Sequence, residues 1–150
     1  MEESVNAAKL KKVSLLDEIQ SEFGLKMPDI KQYSPLTLAY IGDGIYDMII
    51  RTVVVEGGNA PVNHLHRKVS TMVKASAQAE LLHLIEPLLT QEELAVYKRG
   101  RNAKSFTSAK NASMTDYRTA TGLEALMGYL YLTGDTVRAV ELVRIGLDKK

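Results

Sequence analysis

The 150-residue chain has no cysteine, which excludes both a disulfide framework and a thiolate metal site. That suits a reducing compartment, and a cytoplasmic protein is the expectation. No apolar run approaches the ~18 residues that a membrane span needs. The opening stretch MEESVNAAKLKK is acidic and then basic, has no apolar core, and does not read as a secretory signal. A net charge of +1 offers no global attraction for nucleic acid, so any such interface must be local. Internal repeats, a Walker phosphate loop, a nucleophile elbow and the Rossmann glycine pattern are missing too. The one strand-like run, Thr52–Val55, can simply extend a helix.

What is present is a 45% hydrophobic chain, long enough for one domain around one core. Its periodicity predicts an all-α fold of about six or seven helices. A first helix is expected over 4–22, ended by Phe23-Gly24, with Pro28 marking a break. Ser34-Pro35 is a helix start, and Gly57-Gly58-Asn59-Ala60-Pro61 stops that helix near Glu56. Further helices are expected over 62–70 and 74–85, the second rich in small residues. Thr90 and Glu93 form a capping-box pair for the next helix, which reaches 98–101. A loop over 102–113 follows, then a helix capped by Thr115 or Asp116 that runs to Leu132, and a last helix to Leu147. The expected organisation is a helical extension over 1–33 and a single compact domain over 34–150.

Chemistry concentrates in three places. The stretch LTLAYIGDGIYDMIIR is apolar almost all round, which predicts a central helix. Tyr40, Asp43, Asp47 and Arg51 form a polar stripe along it. Gly42 and Gly44 flank Asp43 and permit close approach of another helix, a metal or a ligand. The alternative is a polar seam with an Asp47–Arg51 ion pair. In TGLEALMGY, Glu124 is a lone acid on an apolar helix. If that helix crosses the central one, Glu124 and Asp43 converge, and an oxygen-binding divalent cation such as Mg²⁺ or Mn²⁺ is the natural neutraliser. Alternatively, Glu124 bonds a backbone group or pairs with an arginine. Third, Lys98, Arg99, Arg101, Lys104 and Lys110 supply five cations without an acid, and Asn102 adds a neutral donor. Such a patch suits phosphates, or is a solvated basic loop. His64, His66 and His83 lack useful ligand spacing and are assigned no role.

These stretches together resemble the catalytic domain of the ribonuclease III family. YIGDGIYD is similar to its L-G-D signature and GLEALMGYLYL to its E-A-L-x-G-x-x-Y-L helix. LAYIGDGIYD, KASAQAELL, KRGRNAKS and the run from Tyr117-Arg118 to Leu132 resemble the short branch, mini-ribonuclease III, over roughly 34–148. The resemblance implies a ribonuclease III-type endonuclease domain over 34–150, homodimeric, that cleaves double-stranded RNA with Mg²⁺, or Mn²⁺ as substitute. Asp43 falls on the family's catalytic Asp, Glu124 on its metal-binding Glu, and Asp47 is an outer-sphere candidate. Lys98, Arg99, Arg101, Asn102, Lys104 and Lys110 would bind RNA. Ala39 and Thr121 stand where the larger members carry further acids, and no stretch matches their separate duplex-RNA-binding domain. The branch implies maturation of the large-subunit (23S) ribosomal RNA precursor, with a ribosomal protein presenting the substrate as an open alternative. A duplex-RNA-binding module without catalysis and a purely structural helical domain also remain open.

Overall fold

Short polar side chains that meet free backbone N–H groups define where most helices begin. A computed structural model describes residues 13–26, 29–104 and 113–150. Among these, seven α-helices and two single 3₁₀ turns form, and no strand. Ser14 caps α1 (Leu15–Phe23), accepting from the Asp17 N–H at 3.1 Å. Ser34 caps α2 (Pro35–Glu56) in the same way through Thr37, with Pro35 at the first position. Helices α3 (Val62–Val73) and α4 (Ala75–Ile85) are separated only by Lys74, whose extended backbone breaks the run. Thr90 and Glu93 close a capping box on α5 (Gln91–Asn102). Ser113 caps α6 (Met114–Leu132) and Asp135 caps α7 (Thr136–Asp148). The 3₁₀ turns lie at Ile30–Gln32 and Glu86–Leu88.

Four boundaries differ from the sequence expectation. Ser14 is a cap, so Val13 stands outside α1, and the expected helical segment 4–12 lies outside the described residues, as does Pro28. Helix α3 runs on to Val73. Ser113, not Thr115 or Asp116, caps α6, because its backbone is extended and its hydroxyl accepts from the Asp116 N–H at 3.0 Å. Helix α5 extends one residue past the expected 98–101, so Asn102 joins Lys98, Arg99 and Arg101 at its end and not the loop expected over 102–113. Only Ala103 and Lys104 of the described residues continue beyond that helix, and Lys110 lies outside them.

The central position expected of α2 belongs to α6. Thr119 through Leu123, Ala125 through Gly128, Leu130 and Tyr131 are all buried, and α6 packs against α2, α4, α5 and α7. Its neighbours contribute Tyr46, Ile50, Leu81, Leu82, Ile85, Tyr97 and Leu142 to the same core. Helix α2 buries only one side. Tyr40, Met48, Val53 and Val55 remain exposed, with Tyr40 83% accessible.

Two glycine pairs allow α6 to be covered so closely. A Cβ at Gly42 would overlap the Glu124 carbonyl oxygen, and one at Gly128 would overlap the Leu38 carbonyl oxygen. Helices α2 and α6 therefore touch backbone to backbone. On the next face, a Cβ at Gly100 would lie 2.7 Å from the Ala125 Cβ, and one at Gly122 would lie 2.6 Å from the Tyr97 ring. A buried ion pair ties α5 to α7. Arg138 Nε donates to Glu93 Oε2 at 2.9 Å, and its remaining nitrogens reach Glu93 Oε1, Glu141 and the Leu88 carbonyl. The Arg138 guanidinium thereby holds the Glu93 carboxyl below its usual range. Glu93 thus both caps α5 and locks the C-terminal helix.

Candidate active site

The backbone contact at Gly42 places the next residue, Asp43, at the edge of the α2–α6 crossing, where Glu124 emerges from α6. The two carboxyl groups lie within hydrogen-bonding reach of each other. Asp43 is exposed, whereas Glu124 is half-buried. Burial first, then the hydrogen bond and negative charge of Asp43, push the Glu124 carboxyl up to about 8. Among the described residues, Glu124 neither pairs with an arginine nor serves a backbone group; it faces a second acid.

A third side chain completes the arrangement, and sequence reasoning missed it. Gln78 on α4 is 3% exposed. Its amide lies beside Glu124 and draws the carboxyl down against the stronger upward influences. Its Nε2 also donates to the Val73 carbonyl at 2.9 Å. Its Oε1 is buried without a partner. The only sequence signal was a lone carboxamide between alanines in KASAQAELL, a segment whose small residues dominate the pattern.

Asp47 stands apart from this pair. Its carboxylate forms an ion pair with Arg51 Nε at 2.6 Å, one turn further along α2. Among the described residues, no three His, Cys, Asp or Glu side chains gather into a metal-holding group. Ala39 is buried, and the Thr121 hydroxyl donates to the Tyr117 carbonyl at 3.0 Å, so neither position supplies a charge. The donors at the crossing are two carboxylates, and a buried amide oxygen without a hydrogen-bond partner, Gln78 Oε1, belongs to the adjoining helix α4. That chemistry fits a hard divalent cation, which would relieve the repulsion between Asp43 and Glu124.

The basic residues sit on the neighbouring helix. Lys98, Arg99, Asn102 and Lys104 are exposed. Arg101 is half-buried, with its guanidinium 5.5 Å from the centroid of the Tyr97 ring and its Nε donating to Asn102 Oδ1 at 3.2 Å. Tyr97 itself packs against Gly122, two residues before Glu124. The end of α5 is thus anchored to the same part of α6 that carries the acid. His64, His66 and His83 are exposed, and His83 lies 3.8 Å from Glu86.

An all-helical domain with facing carboxylates at a glycine-lined crossing defines a class, and residues 36–135 match the ribonuclease III domain. The chain belongs to the ribonuclease III family and is by class an endoribonuclease. Within it, the similarity is to the short branch: mini-ribonuclease 3 of Enterococcus faecalis is 52% identical over 119 residues, spanning 78% of this chain and 90% of that one. Mini-ribonuclease 3 of Clostridium tetani is 49% identical over 118 residues, spanning 78% of each. A crystal structure of a Fusobacterium nucleatum protein, 30% identical, superposes with a TM-score of 0.72 over 81% of this chain and 97% of its own.

Proposed function

We propose that the chain hydrolyses phosphodiester bonds of double-stranded RNA in an Mg²⁺-dependent reaction, with Mn²⁺ as a substitute, and that 34–150 is the catalytic unit. The meeting of Asp43 and Glu124 at the α2–α6 crossing carries this reading. Asp43 and Glu124 hold the cation, and Asp47 contributes only from its outer sphere, because Arg51 already occupies its carboxylate. When bound, the cation supplies charge stabilisation at the phosphate and acidifies the attacking water. The products are a 5′-phosphate and a 3′-hydroxyl.

Lys98, Arg99, Arg101, Asn102, Lys104 and Lys110 grip backbone phosphates, with recognition resting on A-form shape and 2′-hydroxyls. Arg101 is pre-oriented for this by Tyr97. The chain acts as a homodimer, each subunit cutting one strand, since two-fold symmetry relates two sites as it relates antiparallel strands. Exposed Leu15, Met48, Val53 and Val140, lining a groove of about 410 Å³ with Ile45 and Tyr131, support that assembly. The substrate is the precursor of large-subunit (23S) ribosomal RNA, processed in the cytoplasm, with a ribosomal protein as presenter.

The test is incubation of the purified chain with a long RNA duplex, with and without Mg²⁺. Wild type is expected to cut only with the cation, and Asp43→Asn is expected to bind the duplex but not cut it. Binding of duplex without cleavage by wild type would instead make the chain a recognition module.

A further inference from the structure

We propose that Gln78 belongs to the cation site as a positioning residue: its amide nitrogen holds Glu124 toward Asp43, and its Oε1 is a further oxygen donor. This rests on the reading of Asp43 and Glu124 as cation ligands.

Gln78 sits between Ala77 and Ala79 on the covered side of α4, where a primary amide costs free energy unless every polar atom is engaged. Its Nε2 carries two hydrogens. One reaches the Val73 carbonyl, which ends α3 and has no continuing helix to serve it. The same amide lies beside Glu124 and draws its carboxyl down. The amide cannot be reversed, because Oε1 would then face another acceptor, the Val73 carbonyl. Oε1 is therefore the atom left over, buried and without a donor.

Capping α3 explains one N–H and nothing else. A helix cap alone would not require a side chain that leaves an acceptor stranded, and that acceptor belongs to a group beside one member of the acid pair. A hard cation between the carboxylates, or its hydration shell, engages an amide oxygen as readily as a carboxylate. Groups that orient a metal's ligands change metal affinity without touching the substrate.

The experiment measures Mn²⁺ binding to the full chain without RNA, by electron paramagnetic resonance, for wild type, Gln78→Met and Glu124→Gln. Thermal melting in chelator is recorded alongside. Methionine keeps the length and burial of Gln78 and removes both polar ends. Gln78→Met is expected to weaken Mn²⁺ binding roughly tenfold or more. Unchanged affinity in a folded Gln78→Met protein, even with a lowered melting temperature, would reduce Gln78 to a cap of α3 and overturn the proposal. Wild type failing to bind Mn²⁺, or Glu124→Gln binding as tightly as wild type, would bring down the acid-pair reading and Gln78 with it. Loss in Glu124→Gln but not in Gln78→Met would sink Gln78 alone. Should Gln78→Met not fold, the side-chain amide resonances of Gln78 in wild type are followed during Mg²⁺ addition. A saturable shift supports the assignment, and unmoved resonances overturn it.

Discussion

Gly42 lies against the backbone carbonyl of Glu124, leaving no space for a Cβ, and this contact delivers the neighbouring Asp43 to the Glu124 carboxylate. The acid pair is a consequence of helix packing. Had α2 carried any side chain at this point, the crossing would open and the carboxylates would part.

Gly42→Ala is therefore expected to destabilise the chain by about 3 kcal/mol, the upper end of the usual overpacking cost, since the clash is with backbone that cannot rotate away. Gly44 provides the control. A Cβ there meets nothing, so Gly44→Ala is expected to stabilise α2 by about 1 kcal/mol. Urea denaturation of both variants checks the pair, and a Gly42→Ala protein as stable as wild type would contradict the backbone contact.

The protonation of Glu124 should be visible in stability. Its carboxyl is raised from 4.5 to about 8, chiefly by burial and then by Asp43. Between those values the folded chain holds a proton that the unfolded chain has released. Stability of the cation-free chain should then fall as pH rises across that window, by at most about 1.4 kcal/mol per pH unit. Added Mg²⁺ should flatten the slope by favouring the ionised pair. Denaturation in chelator at pH 5.5, 7 and 8.5 measures it, and a flat or rising profile would refute the raised value.

The end of α5 makes a salt-dependent prediction. Replacing Arg99, Arg101 and Lys104 together by alanine should weaken duplex binding and reduce the slope of log affinity against log salt by about 2–3. Fluorescence anisotropy over a salt series reports it. An unaltered slope would remove these residues from the RNA contact.

Met48, 60% exposed on α2, tests the assembly. A charge placed on an apolar interface is strongly unfavourable, so Met48→Glu should shift the chain to monomer in sedimentation velocity while leaving its helicity intact. A dimer that persists would move the interface elsewhere.

Much of the local architecture was legible in the residues. Ser34-Pro35 opened α2, Glu56 closed it, and Thr90 with Glu93 formed the expected capping box. Such signals are read within a few residues, so they survive without knowledge of the fold. The boundary that slipped at Ser113 was a choice among neighbouring polar residues that only backbone geometry settles, whereas at Ser14 the helix expected over 4–22 ran through a serine whose hydroxyl caps α1. Glu93 was seen as a cap but not as the partner of Arg138, because that ion pair joins helices far apart in the chain.

The sequence by itself determined that this protein is helical, where its helices start, and that two acids stand on apolar helices beside glycines. Tertiary structure decided that α6 rather than α2 is central, that Asp43 and Glu124 face each other while Asp47 turns to Arg51, and that Gln78 closes in from α4. Helix periodicity identifies a face but not what lies against it. The approach of two backbones at Gly42 and Gly128 is a fact about pairs of helices, and no single segment encodes it.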